Sequence, residues 1–183
     1  MPADPLPAEC VANSVADSLP LVLRPAEPRD LPAIAAFWNP MIRDTAVTFS
    51  ADERSVEALA AMLDARRAAG CEMFVAALGP GPAMGFATYA PFRPGSGYLR
   101  TMEHTIILSP ALQGRGAGRA LIAAVADHAR AGGALSLIAA VSGENAAGIA
   151  FHRAAGFAEV GRIPAAGWKF GRSMDLVLLQ LRL

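Results

Sequence analysis

The spacing of hydrophobic positions changes several times along the chain, and each change marks a predicted element. Leu21, Val22, Leu23 and Arg24 read as a short strand stopped by Pro25. Asp30 is placed to cap a helix that tolerates Pro32 in its first turn and runs to about residue 42. Over 55–69, Val56, Leu59, Ala60 and Leu63 fall on one helical face, and Gly70 ends the run. Strands follow at 73–78 and 84–91, separated by the turn signal Gly79-Pro80-Gly81-Pro82. A loop rich in Gly, Pro and Arg at 92–100 leads to a strand at 102–108. A helix opens at Gln113-Gly114-Arg115-Gly116-Ala117-Gly118 and stops at Gly132-Gly133. Then come a strand at 135–141, a helix at 146–155 closed by Gly156, and strands near 158–163 and 174–183 that flank a loop. The order β-αα-βββ-α-β-α-ββ predicts an α/β protein, a mixed sheet with helices on its faces.

Residues 1–19 carry three prolines and no sustained period. They are expected to form a flexible extension ahead of a single domain at 20–183. Apolar residues make up 54% of the chain and charged residues 17%, which suits a compact globular protein and argues against disorder. The formal net charge of +0 gives no reason to expect a nucleic-acid or anionic-membrane partner, so an anionic ligand must be held by local features. Cys10 and Cys71 fit no metal or redox spacing; free thiols are expected, with one bridge between them the alternative, and no metal is expected. No apolar run reaches the roughly 20 residues that span a bilayer, and the N-terminus lacks the basic start and apolar block of a signal peptide. The expectation is a soluble cytoplasmic protein.

The candidate chemistry begins at Leu112–Ile122, where a strand has ended and a helix begins. Glycines there let the backbone approach a ligand, and a helix N-terminus favours an anion. Arg115 and Arg119 add charge-assisted donors. The turn has neither the Gly-Lys-Ser/Thr ending of a P-loop nor a GxGxxG fingerprint. Two readings stay open on this turn alone: a pyrophosphate site, or a connection that lets strand and helix pack.

The same six residues, 113–118, resemble the Q/R-x-x-G-x-G/A acetyl-CoA motif of the GNAT superfamily. The resemblance implies the GNAT fold, acetyl-CoA as co-substrate, and pyrophosphate binding by Gln113, Gly114, Arg115, Gly116, Ala117, Gly118 and Arg119. It also implies that Ile106, Ile107 and Leu108 bind the pantetheine arm through backbone groups. Thr101-Met102-Glu103-His104-Thr105, Asn145 with Phe151-His152-Arg153 and Gly156-Phe157, Gly167-Trp168-Lys169-Phe170-Gly171-Arg172 with Asp175, and Trp38-Asn39 with Arg43, Thr45 and Phe49 are similar to the phosphinothricin/methionine sulfoximine acetyltransferase branch. The branch implies a homodimer with residues 168–172 near the active site, and a small amino-acid-like amine as substrate. Trp38 and Trp168 stand where tyrosine is common in the branch, and Ser173-Met174 replaces a bulkier pair, which bears on substrate choice.

Acetyl transfer to an amine needs a base, a positioned electrophile and a stabilised oxyanion. Glu103, an acid in an otherwise apolar strand, is the candidate base, and partial burial would raise its pKa. The plain alternative is a strand-end carboxylate paired with an arginine. Alternation puts Glu103, Thr105 and Ile107 on one face and His104, Ile106 and Leu108 on the other, unless a bulge intervenes. Glu103, His104 and Thr105 are expected at the substrate, with His104 alternatively a polar contact beneath the pocket. Arg93 is the candidate clamp for a substrate carboxylate. His152 occupies the position where many GNAT members place a tyrosine that protonates the leaving thiolate. Asn145 is an expected N-cap, and the resemblance adds a CoA contact. Trp38, Phe92, Trp168 and Phe170 are candidate apolar walls. His128 reads only as a favourable helix C-terminal residue. Two other functions remain: acetylation of another amine (a protein N-terminus, polyamine or aminoglycoside), or acyl-CoA binding by a non-catalytic regulator.

Overall fold

A computed structural model describes residues 19–183 of the chain. Cys10 and the extension expected over 1–19, Leu19 apart, lie outside them. The elements are β1 (Leu21–Pro25), α1 (Leu31–Asp44), α2 (Val56–Ala68), β2 (Met73–Leu78), β3 (Gly85–Pro91), β4 (Thr101–Leu108), α3 (Ala117–Ala131), β5 (Ser136–Ser142), α4 (Ala146–Ala154), β6 (Ala158–Lys169) and β7 (Arg172–Arg182). They form one seven-stranded sheet in the order β1-β2-β3-β4-β5-β7-β6. The predicted element order is the observed one.

The two faces of the sheet bury two separate apolar layers. On one, α1 and α2 bring Leu31, Ile34, Trp38, Ile42, Leu59 and Leu63 against Met73, Val75 and Phe86. On the other, α3 and α4 pack Leu121, Val125 and Ile149 against Leu137, Val177 and Leu179. Helical residues spaced three and four apart thus meet strand residues spaced two apart. Asp30 precedes α1 but makes no side-chain cap. Its buried carboxylate instead accepts two hydrogen bonds from Arg24, at 2.6 and 2.7 Å, and one from the Glu27 amide, tying the start of α1 to β1. Ser55 does cap α2, its hydroxyl accepting from the Ala58 amide at 3.1 Å.

Two boundaries differ from expectation, each for a visible reason. The helix expected to open at Gln113 begins at Ala117, because Pro110–Leu112 form a 3₁₀ turn and Gly114 and Gly116 take left-handed φ of 76° and 77°. β6 runs on to Lys169 through a stretch expected to be loop. It is an edge strand, where a proline such as Pro164 removes no ladder bond, and register shifts against β7 absorb the irregular residues.

Every neighbouring pair in the sheet is antiparallel except β4 and β5. That parallel pairing joins Thr101, Met102 and Glu103 to Ser136, Leu137 and Ile138 and goes no further. Beyond Glu103 the two strands diverge, while β4 stays paired with β3 down to Leu108 and β5 stays paired with β7 up to Ser142. The sheet is therefore split by a cleft in its middle.

Candidate active site

The cleft has a volume of about 390 Å³. β4 supplies Glu103, His104, Thr105, Ile106 and Ile107 to its walls, and β5 supplies residues 139–142. Trp38 of α1 and residues 47–50 of the following loop close one side; Asn145, His152 and Leu176 border the other.

The register between β3 and β4 is continuous, so no bulge relaxes the alternation. Ile107 packs with the α1/α2 layer while Met102, Ile106 and Leu108 pack with the α3/α4 layer. Glu103 accordingly faces the α1/α2 side and His104 the opposite side. Burial raises the Glu103 pKa above the ordinary carboxylate value, and the charges of Arg66 and Arg93 work against that rise. The result is a carboxylate at the point of divergence, partly dehydrated and flanked by two cations. Arg93 is exposed, outside the cleft lining, with its guanidinium 5.2 Å from the centre of the Phe92 ring. Arg66, in the last turn of α2, was not foreseen; a cation ending a helix gives no sign of which strand it will face.

His104 is 6% exposed and packs against His152 and Phe157, with ring centroids 5.1 and 5.4 Å apart. Burial, with a smaller contribution from His152, pushes its pKa down to about 3, so it is neutral. Neither of its ring nitrogens has a partner among the described residues. His152 is also buried, and burial lowers its pKa although a hydrogen bond to Gly148 opposes this. Its Nδ1 lies 2.7 Å from the Gly148 carbonyl, which can only accept, so Nδ1 carries the proton and Nε2 is a bare acceptor. His152 must therefore take up a proton at Nε2 before it can give one.

The glycine turn sits at the N-terminus of α3. The N-cap residue, Gly116, has no side chain with which to cap that helix, and its first amides have no intrahelical acceptor, a geometry that suits an anion. Gln113, Gly114, Gly116 and Arg119 are exposed, Arg115 is half-buried, and Ala117 and Gly118 are buried. Gly118 serves packing: a Cβ there would press on the Phe151 ring of α4 at 2.8 Å. Asn145 caps α4, its Oδ1 accepting from the Gly148 amide at 2.8 Å, and it also lines the cleft. Of the candidate walls, Trp38 lines the cleft, whereas Trp168 and Phe170 are 69% and 53% exposed.

Two residues do more than the sequence suggests. His128 Nδ1 lies 2.6 Å from the Tyr89 hydroxyl and ties α3 to β3. Lys169, 5% exposed, donates from Nζ to the carbonyls of Ile42, Thr45 and Thr48 at 2.5, 2.8 and 2.9 Å. Its only signal in the sequence was its place in the Trp-Lys-Phe-Gly-Arg run. Cys71 is a free, buried thiol, and no cluster of three or more metal-ligating side chains occurs among the described residues.

An open α/β sheet split between two parallel strands, with a glycine turn at the start of the helix that follows the first of them, defines the class of fold. The chain belongs to the acetyltransferase (GNAT) family, whose profile matches residues 38–157. It is 35% identical over 161 residues to an L-methionine sulfoximine/L-methionine sulfone acetyltransferase of Pseudomonas paraeruginosa, an alignment covering 88% of this chain and 94% of that one. A phosphinothricin acetyltransferase from Sinorhizobium meliloti, solved in complex with acetyl-CoA, superposes with a TM-score of 0.84 at 30% identity, covering 89% of this chain and 88% of that one. A ribosomal-protein-alanine N-acetyltransferase from Brucella melitensis superposes with a TM-score of 0.83 at 34% identity, covering 88% of this chain and 99% of that one.

The left-handed turn yields a direct test. Among the described residues nothing lies within 4 Å of where a Gly116 Cβ would stand, so the obstacle to a side chain is its φ of +77°. Gly116→Val should disturb the turn by about 1–2 kcal/mol of backbone strain and raise the KM for acetyl-CoA about 10-fold. The acceptor KM should not move. Steady-state kinetics with each substrate varied in turn would show this.

Proposed function

We propose that this GNAT acetyltransferase moves an acetyl group from acetyl-CoA to the amino group of a small amino acid of the methionine sulfoximine, methionine sulfone or phosphinothricin type. The observation that carries the reading is Glu103, a half-buried carboxylate with a raised pKa at the point where β4 and β5 part. The fit to acetyl-CoA rests on the uncapped α3 N-terminus beside a left-handed glycine turn, and on a cleft lined by Ile106, Ile107 and residues 139–142. Gln113, Gly114, Arg115, Gly116, Ala117, Gly118 and Arg119 would surround the pyrophosphate, and Ile106, Ile107, Leu108 and Asn145 the arm.

Glu103 takes a proton from the substrate ammonium, directly or through one water, and frees the lone pair that attacks the thioester carbon. The new N–C bond forms as the C–S bond breaks, and the amine gives up a second proton as the amide appears. His152, a lining residue of the cleft whose buried Nε2 has no hydrogen-bond partner among the described residues, carries that proton to the departing thiolate. We assign the acceptor carboxylate to Arg93, which lies outside the cleft lining but whose charge acts on Glu103. Thr105 completes the substrate side of β4, and His104 stands behind it as a neutral ring on the other face.

A second reading is favoured by the 34% identity to the ribosomal-protein-alanine acetyltransferase: the acceptor is a protein N-terminus. A regulator without catalysis would have no use for the perturbed Glu103. Because the reaction consumes acetyl-CoA and Cys71 is a free thiol, we place the protein in the cytoplasm; fractionation that recovers it outside the cytoplasm would refute this.

Thiol release from acetyl-CoA with methionine sulfoximine, methionine sulfone, phosphinothricin, spermidine, an aminoglycoside and an N-terminal alanyl peptide decides among the acceptors. Turnover confined to the first three supports the proposal; turnover of the peptide alone supports the second reading. In the same assay, kcat/KM of the wild type should rise with pH through a value above the ordinary carboxylate pKa of about 4.3, since only ionised Glu103 is a base. Glu103→Gln should lower kcat about 100-fold or more and abolish that limb. A fully active variant removes Glu103 as the base.

We also propose a homodimer joined through the β6–β7 side. Val160, Ile163 and Trp168 of β6 and Phe170 of the turn after it are 55%, 43%, 69% and 53% exposed, and large apolar side chains left in solvent favour a partner surface. Analytical ultracentrifugation should report twice the 19.0 kDa chain mass, and a monomer would contradict the dimer.

A further inference from the structure

The loop after α1 forms one wall of the cleft, yet residues 45–55 contain no helix or strand of their own. Its internal hydrogen bonds among the described residues are few and long: the Val47 amide donates to the Thr45 hydroxyl and the Ser50 amide to the Thr48 hydroxyl, each at 3.3 Å, and the Ser50 hydroxyl donates to the Asp52 carbonyl at 3.5 Å. Arg43 and Asn39 of α1 hold the far end of the loop at Glu53 and Arg54. A wall made this way needs support from elsewhere in the chain.

The support comes from the turn between β6 and β7. Lys169 places all three of its ammonium protons on the carbonyls of Ile42, Thr45 and Thr48. A lysine on an edge strand ordinarily reaches outward into water, and this one is buried between the exposed Trp168 and Phe170. Two positions away, Gly167 leaves room for the Phe49 ring, which a Cβ would strike directly. The turn itself is unusual. Lys169 pairs with Arg172, so Phe170 and Gly171 form a two-residue loop with φ of 53° and 72°. Asn or Asp commonly fills the first place of such a turn, and a bulky residue there is a steric outlier. The compensation is visible: the Lys169 ammonium lies 5.1 Å from the centre of the Phe170 ring.

We propose that Lys169 is a positioning residue for the acceptor amine: by gathering the three carbonyls it fixes the shape of the wall formed by residues 47–50, with Gly167 and Phe170 holding it in register. It acts through the loop and does not touch substrate. The inference rests on the acetyltransferase reading above and adds a determinant of acceptor binding about 120 residues distant in sequence from the wall it shapes.

Lys169→Met keeps the length of the side chain and removes its donors. The acceptor KM should rise about 10-fold, while the KM for acetyl-CoA stays within about 2-fold, since a displaced wall disturbs orientation on one side of the cleft only. Amide hydrogen exchange at residues 46–50 should quicken about 10-fold with α3 and β4 unaffected. Phe170→Asn is the second variant, because it suits the turn better: Tm should hold or rise while the acceptor KM still climbs about 3-fold. An unchanged acceptor KM in the folded variants, or equal rises in both KM values, overturns the inference. A wild type inert toward every amine defeats the acetyltransferase reading instead; the exchange rates then decide alone, and no change at 46–50 overturns the role of Lys169.

Discussion

The short parallel register of β4 with β5 is the constraint from which the rest of the site follows. Three residue pairs hold the strands together at Thr101–Glu103, and their outer partners, β3 and β7, keep both strands extended after they separate. Two strand edges thus face one another across a gap, each carrying backbone groups without a ladder partner on that side. Buried backbone donors and acceptors need partners, and an extended ligand with amide groups can supply them as an added strand would. The helices follow the same geometry: α1 and its loop close one side of the gap, and α4 borders the other.

Electrostatics divide this gap into two ends. A chain with no net charge attracts an anion only locally, and we assign that role to the start of α3, whose first amides have no intrahelical acceptor. At the other end Glu103 is held between desolvation, which favours its neutral form, and Arg66 and Arg93, which favour its ionised form. That balance suits a group that must accept a proton and later release it. His104 and His152, neutral through burial, add polar atoms beside the cleft without adding charge.

Much of the fold was legible because its signals are local. The glycine turns at 79–82 and 132–133, the alternation in β4 and the amphipathic stripe of α2 each report on a few neighbouring residues. Glu103 was legible for the same reason, as an acid in an apolar strand. What the sequence hid depends on contacts between distant segments. The reach of β6 to Lys169 depends on β7 absorbing two register shifts. The burial of Lys169 depends on carbonyls from α1 and its loop. The tautomer of His152 depends on one turn of helix that places Gly148 beneath it. Arg66 reaches Glu103 only because α2 lies across that part of the sheet, and no spacing in the sequence encodes this.

A crystal structure of the chain with acetyl-CoA would show whether the split in the sheet holds the cofactor. The pyrophosphate should lie on the amides following Gly114 and Gly116, and the arm should run between β4 and β5 along Ile106, Ile107 and residues 139–141. The acetyl group should then sit where Glu103 reaches an incoming amine within about 3.2 Å or through one water. A cofactor bound outside the split, or a thioester too far from Glu103 for either contact, would contradict this placement.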